Sequence, residues 1–218
     1  MQLSPIFVKV TQSYSEPSNV FIMPNSLSTH PSINAHLHVQ QTQHTQHNYQ
    51  DLITVFQSTF FEHYNTQLVK GDDEPVYLPA SESCSHHQII FAHGYYSSAL
   101  HEISHWCVAG KERRLLEDFG YWYEPDGRNE QQQKVFESVE VKPQAIEWAF
   151  CIAANKKFNV SADNLNGVEA DTAAFKALVY QQVQHYLHNG FPVRAQAFIN
   201  ALASLYNTSA RLSLAQFK

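Results

Sequence analysis

Charge, cysteine and long apolar runs are what this 218-residue sequence has least of. Only 16% of its residues are Asp, Glu, Lys or Arg, and acids outnumber bases by 20 to 14, a formal net charge of −6. That balance gives no broad electrostatic attraction to a nucleic-acid backbone or an anionic bilayer, so neither is expected as a direct partner. The three cysteines, Cys84, Cys107 and Cys151, are odd in number and far apart. They make no CxxC pair and no disulfide framework, which fits reduced thiols in a cytoplasmic protein. No stretch approaches the roughly 18–20 uninterrupted apolar residues of a membrane span. A basic segment leading into an apolar run with a small-residue cleavage pattern is also missing from the beginning of the sequence. A cytoplasmic location is the expectation. What the chain does have is 44% apolar residues, enough for a continuous core without disulfide staples.

Residues 1–47 differ from the rest, with Lys9 and Glu16 their only Asp, Glu, Lys or Arg residues. Ser, Gln, Asn, Thr, Pro and His dominate there, and His36, His38, His44 and His47 read as a compositional tract. This segment is expected to be a weakly ordered extension, adding at most short edge strands at 5–10 and 20–23. Residues 48–218 are expected to form the catalytic, metal-binding domain. Leu52, Phe56 and Phe60 recur every four residues behind an Asn48 cap, the mark of an amphipathic helix that Gly71–Pro75 would stop. Short strands are predicted at 76–78 and 89–92. A helix runs from Ser97 or Ser98 to about Ala109, with Gly110 placed to end it. Residues 119–123 look extended. Helical periodicity returns at 129–137, again from Pro143, then at 171–187 and 193–205. The fold class is α+β, a small sheet packed against helices, with a zincin-like metal helix.

That metal helix is His101-Glu102-Ile103-Ser104-His105. Residues four apart share a helix face, so the two imidazoles can converge on one divalent ion. Glu102 lies about 100° round the helix, where it can address a metal-bound water; it is the catalytic candidate. Two histidines leave an open site short of a ligand. The downstream carboxylates are Glu137, Glu140 and Glu147, and spacing does not decide among them. Glu140 ranks first, because it stands just before Pro143, then Glu147, then Glu137. Two histidines and a glutamate support two chemistries. Zinc would polarise a water for amide hydrolysis with Glu102 as base; ferrous iron would leave adjacent positions open to dioxygen. A non-catalytic adaptor is the third class.

Longer strings carry a resemblance. Lys70–Pro75, then Phe91-Ala92-His93-Gly94, the HEISHWCVAG run from His101, DFGYWYEPDGR from Asp118 and VEVKPQAIEW from Val139 together resemble the elongation factor P hydroxylase family over about residues 48–218. The resemblance implies an iron-dependent oxygenase with a zinc-peptidase-like fold. It also implies a substrate: the lysine of elongation factor P that already carries a β-lysyl group. The 2-His-1-carboxylate set it implies falls on His101, His105 and Glu140, with Fe(II) as cofactor and dioxygen as cosubstrate. The sequence names no electron donor.

Around that set, Arg113, Arg114 and Arg128 are donors for an anion, Arg128 the foremost of them because it follows the Asp126-Gly127 turn. Tyr121 or Tyr123 can wall a channel for a long aliphatic side chain, alternation sending Trp122 the other way. Asp72, Asp73 and Glu74 form an acidic loop suited to a cationic lysyl arm. His93, at a strand end before a glycine, can orient a ligand or relay a proton.

Overall fold

A computed structural model describes residues 47–118, 127–162 and 171–218. Helix α1, Tyr49–Tyr64, opens on the Asn48 side chain, which accepts from the Gln50 backbone N–H. Its buried stripe is Leu52, Phe56 and Phe60. The helix stops at Asn65 in the left-handed region (φ 46°), a conformation Asn tolerates better than most residues. Strand β1, Thr66–Lys70, follows at once. The α1 helix therefore ends well before Gly71–Pro75, and the residues between form a strand.

Strands β2, Val76–Leu78, and β3, His87–Phe91, complete a mixed sheet in the order β1-β3-β2. β1 lies parallel to β3 and β2 antiparallel to it. The chain leaves β3 through His93 (φ 53°) and Gly94 (φ 75°), two successive left-handed residues. This sharp turn sends helix α2, Tyr96–Val108, back across the sheet. From Ser98 to Cys107 every α2 residue is buried. The carboxyl end of α2 is closed from outside: Arg194 Nη2 donates to the carbonyls of Cys107 (3.1 Å) and Ala109 (2.6 Å). A cation at that end also suits the helix dipole.

Helix α3, Glu130–Ala153, begins in a capping box between Asn129 and Gln132. It is one continuous helix with Pro143 inside, where the sequence suggested two. Helices α4, Thr172–Asn189, and α5, Val193–Tyr206, flank it. The centre of the molecule is aromatic. Phe56, Phe60, Trp106 and Phe198 are all at most 2% exposed, with ring centroids 4.9–6.0 Å apart in edge-on or tilted contacts. Fully burying a large apolar side chain contributes about 1.5–3 kcal/mol, so this cluster fixes α1, α2 and α5 together.

The α+β class, a small mixed sheet packed against helices, is what the structure has. The zincin-like part of the expectation is corrected. The HExxH helix is present, but the donor cluster is the facial triad of His101, His105 and Glu140. Glu102 is not turned to that cluster, as the base of a zincin site would be; it lines a separate cavity with Tyr77 and Ile89 of the sheet. Residues 1–46 and the stretch 119–123 expected to be extended, with Tyr121, Trp122 and Tyr123, lie outside the described residues.

Candidate metal centre

Two buried helices supply the site. His101 and His105 stand one turn apart on α2, and Glu140 faces them from α3. One potential ligand atom from each lies within 4.8 Å of the others, the one such group of His, Cys, Asp or Glu among the described residues. His101 Nε2 and His105 Nε2 approach to 2.9 Å. Glu140 spans the pair, Oε1 at 3.2 Å from His105 Nε2 and Oε2 at 3.5 Å from His101 Nε2. Glu140 is fully buried and His101 nearly so, 0% and 2% exposed.

Two of the three donors are held from behind. His101 Nδ1 is 2.9 Å from Glu147 Oε2. With the Nδ1 proton engaged there, the Nε2 lone pair points into the cluster, as a carboxylate behind a metal-binding histidine arranges it. Glu147 stands two turns beyond Glu140 on α3, so both carboxylates face α2. Gln144 lies between them. Its Nε2 donates to Glu140 Oε2 (3.2 Å) and to the Ser161 carbonyl (2.7 Å), and its Oε1 accepts from Ser161 N–H (3.1 Å).

The charges are strongly coupled. Burial alone would drive the His101 pKa down, but Glu140 and Glu147 outweigh it and push it up to about 10. Burial pulls Glu140 the other way, yet the His105 and His101 rings hold it at about 2. Burial raises Glu102, against the pull of both imidazoles. Glu140 Oε1 is buried with no hydrogen-bond partner among the described residues. Two nitrogens at contact distance around an unsatisfied carboxylate oxygen are what a single cation resolves, and buried polar atoms left without partners are otherwise costly. Two imidazoles and one carboxylate in this facial set suit ferrous iron.

The other expected residues fall in three places. Glu102 lines a small cavity with Tyr77, Ile89, Trp106, Arg113, Arg114 and Asp118; the buried Trp106 Nε1 has no hydrogen-bond partner among the described residues. Arg113 is engaged by Asp118, Nε to Oδ2 at 2.8 Å and Nη2 to Oδ1 at 3.2 Å. Burial lifts Asp118 to about 6 in spite of that partner. Arg128 is 2% exposed. Its guanidinium is taken up by Gln133 Oε1 (2.9 Å), the Ala162 carbonyl (3.2 Å) and the face of Phe136 (3.9 Å to the centroid). Asp72 and Asp73 are exposed and Glu74 is half-buried. Asp72 accepts from Lys70 Nζ at 2.6 Å, which holds its carboxyl below the usual range. This loop leaves β1 at the end of the sheet from which His93 leaves β3. Glu137 accepts from Gln133 Nε2 at 3.1 Å and is not in the donor cluster. Gln144 has no place in the sequence reading, which offers Glu147 as the second ligand candidate or a satisfied group behind the ligands without naming His101 as its partner; their four- and seven-residue spacing from Glu140 is the signal that points to both.

A model of the elongation factor P hydroxylase family matches residues 55–217. A curated relative, the elongation factor P lysine hydroxylase of Haemophilus influenzae, is 56% identical over 172 residues, covering 79% of this chain and 97% of that protein.

Proposed function

Because this chain belongs to the elongation factor P hydroxylase family, we propose that it hydroxylates the lysine of elongation factor P that carries an added β-lysyl group. The working unit is residues 48–218. The observation that carries the reading is the buried meeting of His101, His105 and Glu140, with Glu140 Oε1 unsatisfied. These three residues would hold ferrous iron, and the ion, when bound, supplies the reductive activation of dioxygen. One oxygen atom enters a C–H bond of the substrate and the other leaves as water, with two protons and two electrons from an external reductant completing the balance.

The remaining residues set conditions for that chemistry. Glu147 keeps the His101 ring in one tautomer, and Gln144 keeps Glu140 from rotating. Binding of a divalent ion displaces the proton that the two carboxylates otherwise hold on His101. Glu102 is the catalytic candidate beside the ligands, buried and turned to the neighbouring cavity. A long cationic arm needs carboxylate partners at the rim, a role assigned to Asp72, Asp73 and Glu74, with Tyr121 or Tyr123 along its path. Arg128 supports the site from within the fold rather than as a free anion receptor. No helix among the described residues is long and apolar enough to cross a membrane.

The test is direct. The protein is incubated without oxygen with ferrous iron, ascorbate and β-lysylated elongation factor P, and air is then admitted. Intact-mass spectrometry is expected to show one added oxygen atom on the factor. An unchanged mass, or two shorter fragments, overturns the reading.

A further inference from the structure

Four of the nine lysines in the sequence, Lys156, Lys157, Lys176 and Lys218, line one open groove of about 450 Å3. Its apolar wall includes Trp148 and Phe158, whose rings stack at 4.8 Å between centroids and 18° between planes. Lys176 Nζ lies 5.4 Å from the Trp148 centroid. Among the described residues no Asp or Glu side chain lines the groove. Among the described residues none of the four ammonium groups has an ion-pair partner; the paired lysines are Lys70 and Lys134. Gathering cations without partners costs self-repulsion, and in a chain of net charge −6 it is a local reversal of sign.

We infer that this groove docks an acidic, Asp- and Glu-rich face of the protein substrate; the inference rests on the functional reading above. The chemistry favours protein carboxylates over a nucleic acid. A single-stranded nucleic acid wants free aromatic faces for its bases, whereas Trp148 is 3% exposed and already covered by Phe158 and Phe217. Four flexible lysines act as point charges and accept scattered carboxylates without demanding one geometry. The position is apt as well. Trp148 directly follows Glu147, the residue behind His101, so a partner seated in the groove is held against the segment of α3 that builds the metal centre.

The experiment compares the wild-type chain with the triple variant K156Q/K157Q/K176Q. Affinity for β-lysylated elongation factor P is measured by fluorescence anisotropy at low and at high salt. The triple variant is expected to bind about tenfold more weakly at low salt and to lose most of the salt dependence, as removal of steering charges does. Its ferrous-ion content and its rate on a short peptide bearing the modified lysine stay at the wild-type level. If the triple variant folds poorly, charge reversal at the exposed Lys157, K157E, is expected to give the same direction of change. Undiminished affinity for the factor overturns the inference, as does a loss confined to single-stranded RNA binding. Where wild type oxidises the factor but the variant binds it equally well, only the groove assignment falls; where wild type leaves the factor's mass unchanged, the functional reading falls and takes this one with it.

Discussion

Glu147 decides which nitrogen of His101 is offered inward, and it does so from outside the donor cluster. Its Oε2 takes the Nδ1 proton at 2.9 Å, while the opposite nitrogen lies 2.9 Å from His105 Nε2. Removing a ligand and removing this support should therefore differ in degree. His101→Ala is expected to abolish stoichiometric ferrous-ion binding. Glu147→Gln keeps an acceptor but loses the charge, and should weaken affinity by on the order of 10-fold, within the 10–100-fold span usual for such outer partners. Anaerobic titration of the metal-free protein measures both, with circular dichroism as the check on folding. Affinity unchanged in Glu147→Gln would mean that the carboxylate is only a satisfied polar group. The histidine pair was legible because four residues make one helical turn. The His101–Glu147 contact spans 46 residues of chain, and no local periodicity encodes a pairing at that distance.

Between β3 and α2 the direction of the metal helix is set by two residues, His93 and Gly94. Both are left-handed, and at Gly94 (φ 75°) an added Cβ would also stand 3.1 Å from Tyr49 Cε1 and 3.2 Å from Lys70 Cε. Gly94→Ala is accordingly expected to cost about 1–2 kcal/mol from the backbone conformation alone, read as a lower midpoint in urea unfolding. An unchanged midpoint would show that the turn relaxes freely. The same scale explains what could be read beforehand. The helices at α2, α4 and α5 were visible within a residue or two, because each carries its own apolar stripe and stop signal. β1 was missed because Thr66–Lys70 follows α1 with no Gly or Pro between them, and the break is made by Asn65 in a left-handed cap. α3 was split in two because Pro143 suggests a first turn. It lies inside the helix, buried where α3 meets the rest of the core.

Across the whole molecule the triad acts as a clip. His101 and His105 belong to α2, Glu140 to α3, and these two helices reach the sheet on one side and α4 and α5 on the other. An ion held by all three residues ties together parts that the unfolded chain separates, so the free energy of binding adds to that of folding. With free ferrous ion at one hundred times its dissociation constant, the gain is about 2.7 kcal/mol. For a chain of this size that corresponds to a rise in Tm of roughly 5–10 °C. Calorimetry of the metal-free protein, with and without ferrous ion under anaerobic conditions, should show that rise and its reversal by a chelator. His105→Ala should show none of it, while keeping a midpoint of its own in the absence of metal. An equal rise in His105→Ala would place the stabilising ion somewhere other than between α2 and α3. The ion would then be binding elsewhere on the molecule, and the buried triad would have to be explained as a proton-sharing network instead of a metal centre.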